Sequence, residues 1–206
     1  MTYRKAVAVA LLAASLVGCQ PAPTPTTSGP SVVATGPDIE PTYECTPEFA
    51  APSPSPSVRP TTCSRAVYDQ MKARDAQYAE AERIYREFHE AEVQLARGDV
   101  GGEARLKALA TPEVESAVAQ SYAADRKDGY TFAGGDISLA WVRRYREPDD
   151  ANALALEGCT DFRSARLMKR GKAVRQGATV VRALSFTTAG SSLRISNIVE
   201  LPDGEC

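Results

Sequence analysis

The fold is decided by residues 64–97, SRAVYDQMKARDAQYAEAERIYREFHEAEVQLAR, which carry the repeat of an amphipathic helix. Their apolar side chains recur at gaps of three, four and seven residues and form one stripe, made of Val67, Met71, Tyr78, Ala81, Tyr85, Phe88 and Leu95. The opposite face is charged, and opposite charges stand four residues apart, as in Glu82 and Arg86. Because Ser64 can cap the first turn, the pattern predicts a helix from Ser64 to about Arg97.

Two shorter helices are predicted next. A Gly-Gly pair at 101–102 should end the first helix, and a short helix from Glu103 to Leu109 should follow. Thr111 and Pro112 form a cap and first-turn pair for a third helix, which Gly129 should end.

After Gly129 the apolar period changes from that of a helix to that of a strand. Alternation with a period of two occurs in the segments Ile137–Val142, Leu154–Glu157, Ala165–Met168, Val180–Phe186 and Leu193–Val199. Helices followed by an antiparallel meander predict an α+β fold, in which N-terminal helices pack on a curved antiparallel sheet. The same pattern predicts no strand before Gly129.

The N-terminus has the form of a cleaved export signal over residues 1–18. Arg4 and Lys5 precede an apolar run to Val17, and as a helix this run spans roughly 20 Å, too short for a bilayer core of about 30 Å. The run ends in Leu16-Val17-Gly18-Cys19, which resembles the bacterial lipobox, whose cysteine is acylated and becomes the mature N-terminus. The resemblance implies that Cys19 is lipidated and anchors the chain to the cell membrane.

Residues 19–62 have the composition of a tether. Residues 20–62 hold 11 of the 14 prolines together with many serines and threonines, so this segment lacks the apolar side chains of a core. The sequence therefore predicts a lipidated cysteine with a Pro/Ser/Thr-rich tether over 19–62, and a single α+β domain over 63–206.

Four of the five cysteines remain once Cys19 is assigned to lipid. An exported setting favours disulfides, and four cysteines allow three connectivities. We favour Cys45–Cys63, which closes the second proline-rich run, and Cys159–Cys206, which ties the C-terminus to a strand. A metal site is the rival interpretation, but the sequence has no CxxC and one histidine, so no metal and no cofactor are predicted.

Several segments carry a resemblance to a known group of proteins. They are Tyr43-Glu44-Cys45-Thr46-Pro47-Glu48, Cys63 with the run from Tyr68 to Phe88, and Glu157-Gly158-Cys159-Thr160-Asp161. Together with the lipobox and tether they resemble a group of exported actinobacterial lipoproteins, and the order of elements resembles the NTF2-like, cystatin-like cone. The resemblance implies a cone-shaped α+β domain and a sheet that can dimerise, so a second copy is a candidate partner. It implies no particular activity.

Some proteins with this cone fold are isomerases, which use a carboxylate as base opposite a hydrogen-bond donor. The available acids are Asp136 and Asp161, with donors among Tyr122, Tyr130 and Tyr145. His89 could act as a switch or base, and we expect it on the surface, in contact with solvent. No nucleotide-binding, zinc-protease or serine-hydrolase motif is present.

Two sets of residues are candidates for binding. Trp141 and Tyr130 could line a small-molecule pocket in the mouth of the cone, or they could simply fill the core. No acid lies between Phe162 and Val199, and a basic tract stands there, composed of Arg163, Arg166, Lys169, Arg170, Lys172 and Arg175. If this tract is a hairpin, Lys169, Arg170 and Lys172 lie at its tip, where they could contact anionic lipid or be neutralised by the acidic first helix.

The sequence thus favours a membrane-anchored extracytoplasmic lipoprotein that acts as a non-enzymatic binding or interaction module of the cell envelope. The alternative is a small-molecule, isomerase-like enzyme that uses the cone cavity. Candidate partners are the membrane, an envelope protein, wall polymer, a small apolar ligand and a second copy. The near-neutral net charge, −2 for the whole chain, argues against a nucleic-acid partner.

Overall fold

Helix α1, Arg65–Ala96, is the longest element and organises the domain. The computed structural model describes residues 42–46, 60–146, 153–202 and 206, so the predicted signal peptide, Cys19 and most of the tether lie outside the described residues. Ser64 caps α1 as predicted, because its side-chain oxygen accepts a hydrogen bond from the Val67 backbone N–H. The predicted stripe is buried from Tyr78 onward, whereas Val67 near the start is 48% exposed.

Two shorter helices follow, α2 at Gly101–Leu109 and α3 at Pro112–Asp128. The expectation that Gly101-Gly102 separates α1 from α2 is wrong, because both glycines belong to α2 and the chain turns at Gly98, whose φ is +88°. Gly102 serves packing instead, since a Cβ there would lie 2.5 Å from the Ala91 carbonyl oxygen. Helix α3 begins at Pro112 and ends at the left-handed Gly129, as predicted.

Nine strands form three antiparallel sheets in the described residues. A ribbon pairs β1, Tyr43–Cys45, with β2, Thr61–Cys63. A three-stranded sheet has the order β3-β6-β7 and a four-stranded sheet the order β4-β5-β8-β9. Their bounds are β3 Tyr130–Gly134, β4 Ser138–Arg144, β5 Leu154–Asp161, β6 Ala165–Lys169, β7 Lys172–Gln176, β8 Thr179–Ala189 and β9 Ser192–Glu200. The predicted α+β class is confirmed.

The expectation that no strand precedes Gly129 is wrong, because the β1–β2 ribbon lies before α1. The Cys45–Cys63 disulfide joins its two strands, and the ring of Tyr43 stacks on Tyr68 of α1 with centroids 5.0 Å apart. A covalent link and one aromatic contact thus order a segment that has little apolar surface of its own.

The single meander expected after Gly129 is divided between two sheets. Strands β6 and β7 form a hairpin that leaves the four-stranded sheet and pairs with β3, which the alternation pattern did not reveal. Strand β5 is nevertheless central to the larger sheet, and nearly all of its residues are buried.

The main core lies between α1 and the four-stranded sheet. Tyr85, Phe88 and Leu95 of α1 pack with Leu184 of β8 and Ile195 of β9, all at most 1% exposed. The helix approaches β5 so closely that a Cβ on Gly158 would lie 2.7 Å from the Tyr85 ring. Burial of large apolar side chains of this kind supplies most of the stability of such a domain.

The second predicted disulfide, Cys159–Cys206, is present as well as the first, with Cα atoms 5.5 Å apart. It links the buried centre of β5 to the C-terminal residue, as the sequence predicted. Both disulfides are typical of a protein that folds outside the reducing cytosol.

Candidate functional site

A cleft of about 610 Å³ opens between α1, the end of α2 and the β8–β9 hairpin. Its floor is apolar, because Ile84, Leu109, Leu154 and Phe186 are each at most 8% exposed, and Leu193 adds a half-buried side chain. The volume lies in the range of small-molecule sites, which combine a mainly apolar lining with a few polar groups.

The rim of the cleft is polar. Arg74, Gln77, Glu80 and Arg83 lie along the α1 side, while Thr188, Ser191 and Ser192 lie at the β8–β9 turn. Arg83 donates to the carboxylate of Glu80 from two nitrogens, at 2.9 and 2.6 Å, and this bond lowers the pKa of Glu80. A carboxylate held in its charged form by an arginine is a poor general base.

A second set of polar side chains is buried inside the domain, where Glu92 of α1 contacts Arg182 of β8. The carboxylate of Glu92 accepts two hydrogen bonds from the Arg182 guanidinium, at 2.8 and 2.9 Å. The two side chains are 5% and 13% exposed, so this is a buried bidentate ion pair. Burial alone would lower the pKa of Arg182, but Glu92 and the phenols of Tyr85 and Tyr122 reverse the shift and raise it.

The groups around this pair are also buried. Burial raises the pKa of the Tyr85 phenol to about 12 and raises that of Tyr122 as well, with a further contribution from Glu92. His89 is 7% exposed, and burial lowers its pKa. His89, Glu92, Tyr122 and Arg182 line a small cavity with Val93 and Phe162, and this cavity has no room for a water molecule. The cavity is therefore closed to any substrate in this conformation.

The expectation that His89 is a solvated surface residue is wrong. His89 lies four residues after Tyr85 and three before Glu92, so one helical face carries all three side chains into the domain. Neither ring nitrogen makes a hydrogen bond of good geometry within the described residues, although the backbone of Ile137 lies close enough to raise the pKa of His89 against the effect of burial.

The two candidate catalytic aspartates lie away from the cleft. Asp161 accepts hydrogen bonds from the side chain and the backbone N–H of Arg163, and these lower the pKa of its carboxyl to about 2. Asp136 is exposed, and its carbonyl oxygen accepts a hydrogen bond from the Ser164 hydroxyl. Of the tyrosines considered as donors, Tyr122 faces the buried pair instead. Neither Asp136 nor Asp161 is among the described residues that line the cleft or the closed cavity, so the considered pairing of one of these aspartates with a tyrosine donor is not formed there.

Trp141 and Tyr130 lie on different sheets, and neither is among the described residues that line the cleft. Trp141 is on β4, where the Arg143 guanidinium lies 4.6 Å from its ring centroid. Tyr130 is on β3, where its hydroxyl accepts a hydrogen bond from Lys169 at 2.8 Å. Lys169, Arg170 and Lys172 do meet at a hairpin tip, as the sequence suggested.

Comparison with known proteins does not assign this chain to a family. No protein-family model matches the chain, and no curated protein matches it. The crystal structure of the intermembrane space region of chloroplast protein ARC6 aligns with 59% of this chain and 93% of that one, at 13% identity and a TM-score of 0.41. The solution structure of a de novo beta sheet design protein aligns with 62% of this chain and 92% of that one, at 15% identity and a TM-score of 0.36. Likeness at this level carries no argument about function.

The sequence contains a signal for the Glu92–Arg182 pair that the sequence analysis above did not interpret as an ion pair. Glu92 falls on the buried face of α1, seven residues after Tyr85, and Arg182 falls in phase with Leu184 and Phe186 on β8. Opposite charges placed in the apolar phase of two elements predict a buried ion pair. The cleft had no comparable signal, because its lining comes from segments far apart in the chain.

The described residues contain neither a membrane-spanning helix nor a metal-binding cluster. Among the described residues, none of the helices combines the length and apolar character of a membrane span. In the same ranges no cluster of three or more His, Cys, Asp or Glu side chains could hold a metal ion.

Proposed function

We propose that this chain is an exported lipoprotein, anchored through Cys19, whose domain is a non-enzymatic binding module. The observation that carries the proposal is the cleft on α1, with its buried apolar floor and polar rim. We further propose that the domain belongs to the NTF2-like class of cones. The occupant that this lining fits is a small amphipathic molecule, with its apolar part on Phe186 and Leu109 and its polar part at the rim.

Binding is favoured over catalysis by the separation of the cleft from the titratable groups. The described lining contains one carboxylate, that of Glu80, which Arg83 holds in its charged form. His89 and the Tyr122 phenol belong to the closed cavity around Arg182. The hydroxyls of the β8–β9 turn therefore have no base beside them in the described lining, and a nucleophile without a base is weak.

Anchoring is tested by fractionation. The Cys19→Ala variant should leave the membrane fraction and carry no acyl chains on intact-mass measurement, because the acylated sulfur is lost. If this variant stays in the membrane fraction as the wild type does, the anchor is not Cys19.

The cleft is tested by filling it. Ala108 lines the cleft, so Ala108→Trp should occupy it, whereas Ala104→Trp makes the same change one turn earlier on α2, outside the described lining. Titration with anilinonaphthalene sulfonate, an amphipathic dye, should show one saturable site in the wild type and in Ala104→Trp. Ala108→Trp should weaken that site by at least tenfold. Equal dye binding by all three chains would refute the cleft as a ligand site.

A further inference from the structure

The three-stranded sheet β3-β6-β7 carries most of the basic tract, with Arg166 and Lys169 on β6, Arg170 at the turn, and Lys172 and Arg175 on β7, an edge strand that is exposed along its whole length. All five residues of β7, Lys172–Gln176, are exposed, and in the described residues β7 pairs with β6 alone. Arg166 of β6 lies opposite Gln176, and Lys169 lies opposite Lys172. Leu167 lies opposite Arg175, so Lys169, Lys172 and Arg175 share one face of the hairpin while Arg166 lies on the other, and all four side chains are cationic.

These cations lack the partners that most other arginines of the domain have. Within the described ranges, no hydrogen bond or ion pair involves the side chains of Arg166, Arg170, Lys172 and Arg175. The possibility that acids of α1 neutralise them is wrong, because those acids pair elsewhere: Glu80 and Glu87 with Arg83, Glu82 with Arg86, Glu90 with Arg105, and Glu92 with Arg182. Lys169 differs, since Tyr130 accepts its hydrogen bond and Asp128 adds a weaker attraction.

The turn that carries the basic tip is built in an unfavourable way. Arg170 and Gly171 form a two-residue hairpin loop with φ values of +50° and +78°. Such a loop favours Asn-Gly, because arginine is disfavoured in the left-handed region and asparagine tolerates it. The Arg170 backbone N–H donates to the Gly129 carbonyl oxygen at 2.7 Å, which holds the turn but does not need an arginine side chain. A charged side chain thus occupies a position where local stability favours another residue.

We propose that this basic edge, defined as Arg166, Lys169, Arg170, Lys172 and Arg175, binds the head groups of an anionic lipid bilayer. Val174, an apolar residue that is 51% exposed, lies among these cations. Basic residues that surround an exposed apolar side chain suit the boundary between head groups and acyl chains better than a hydrophilic polymer. Pairing with the same edge of a second copy would bring like charges together, which disfavours a homodimer here.

The inference rests on the proposed anchoring through Cys19, because the anchor holds the domain near the membrane. The vesicle experiment below does not depend on that anchor. The ribbon at the start of α1 and the basic edge near its end are separated by roughly the helix length, about 48 Å for 32 residues. A chain of 22 residues, from 20 to 41, can span up to about 73 Å when extended, so an anchor at Cys19 permits contact by either end. Contact at two points raises the effective concentration of the edge at the membrane.

The experiment uses the chain from residue 20 to 206, which lacks Cys19 and retains every described residue. It should float with vesicles of phosphatidylglycerol and phosphatidylcholine mixed equally, and not with phosphatidylcholine alone. Binding should fall as salt rises to 0.5 M, because the attraction is screened. The triple variant Arg166→Gln, Lys172→Gln, Arg175→Gln should bind about 100-fold more weakly, at about fivefold for each cation.

The control makes the same charge change at exposed sites outside the basic edge, with Arg65→Gln, Lys72→Gln and Lys107→Gln, and should bind within about twofold of the wild type. Arg170→Asn should raise the melting temperature yet weaken vesicle binding about fivefold, a combination that a purely structural role would not produce.

Equal binding to both vesicle types, no binding at low salt, or equal loss in both triple variants would overturn the proposal. Binding to anionic wall polymer without binding to vesicles would overturn it too. Failure of Cys19 lipidation or of dye binding would leave this result unaffected.

Discussion

The buried pair of Glu92 and Arg182 allows a prediction that separates a structural ion pair from a surface one. Glu92→Gln keeps the shape of the side chain but leaves the Arg182 guanidinium, 13% exposed, without a charged partner. We expect a loss of about 3–5 kcal/mol in the free energy of unfolding, because an uncompensated charge remains buried. For a domain of this size that loss lowers the melting temperature by roughly 10–15 °C.

The double variant Glu92→Leu, Arg182→Met gives the sharper result. Removing both charges also removes both desolvation penalties, so we expect the double variant to lie within about 1 kcal/mol of the wild type or above it. The single variants Glu92→Leu and Arg182→Met each leave one charge buried without its partner, so their effects should be strongly non-additive in the double variant. Urea unfolding followed by circular dichroism, with Trp141 fluorescence as a second probe, measures the wild type, Glu92→Gln, these two single variants and the double variant.

A matched control is the surface pair Arg86–Glu82 on the same helix. Its side chains are 52% and 44% exposed, so Arg86→Met should cost no more than about 1 kcal/mol. The reasoning is refuted if Glu92→Gln costs no more than Arg86→Met. It is also refuted if the double variant loses as much as the two single changes added together.

Three further predictions concern pH and the C-terminal disulfide. Burial lowers the pKa of His89, so its contribution to stability is present above about pH 6.5 and is lost as the pH falls. The melting temperature of the His89→Gln variant should therefore change less between pH 7.5 and pH 5 than that of the wild type. Arg163 lowers the pKa of Asp161 to about 2, so the difference in melting temperature between wild type and Arg163→Ser should be present at pH 6 and vanish between about pH 4 and 2. Cys206→Ser opens the link to Cys159 across 47 residues and should cost about 4 kcal/mol in urea unfolding, whereas an unchanged midpoint would contradict the link.

Helices α1 and α3 were predictable because each has its own local signal. Ser64 caps α1, Pro112 begins α3 and Gly129 ends it in the left-handed region, and none of these depends on distant residues. Alternation likewise revealed β4, β8 and β9, each of which turns one face toward the core, and it revealed β5, which is buried on both faces. Both disulfides followed from the need to fasten segments that have little core of their own.

The parts that were missed depend on contacts between distant segments. Strand β3 has five residues, all at least partly exposed, and its pairing with β6 gives no periodic signal in the sequence. The burial of His89 follows from the sheet and α3 closing over that face of α1, and an assignment based on neighbouring charges placed it in solvent. The cleft depends on where α2 ends relative to the β8–β9 turn, which local propensity does not determine.

Native mass spectrometry of the chain isolated from its own membranes in mild detergent tests the central claim most directly. An anchored binding module predicts a mature chain that begins at an acylated Cys19 and retains a small amphipathic molecule, which the Ala108→Trp variant lacks and the Ala104→Trp variant keeps. An unmodified N-terminus, or identical bound masses in the wild type and in Ala108→Trp, would contradict it.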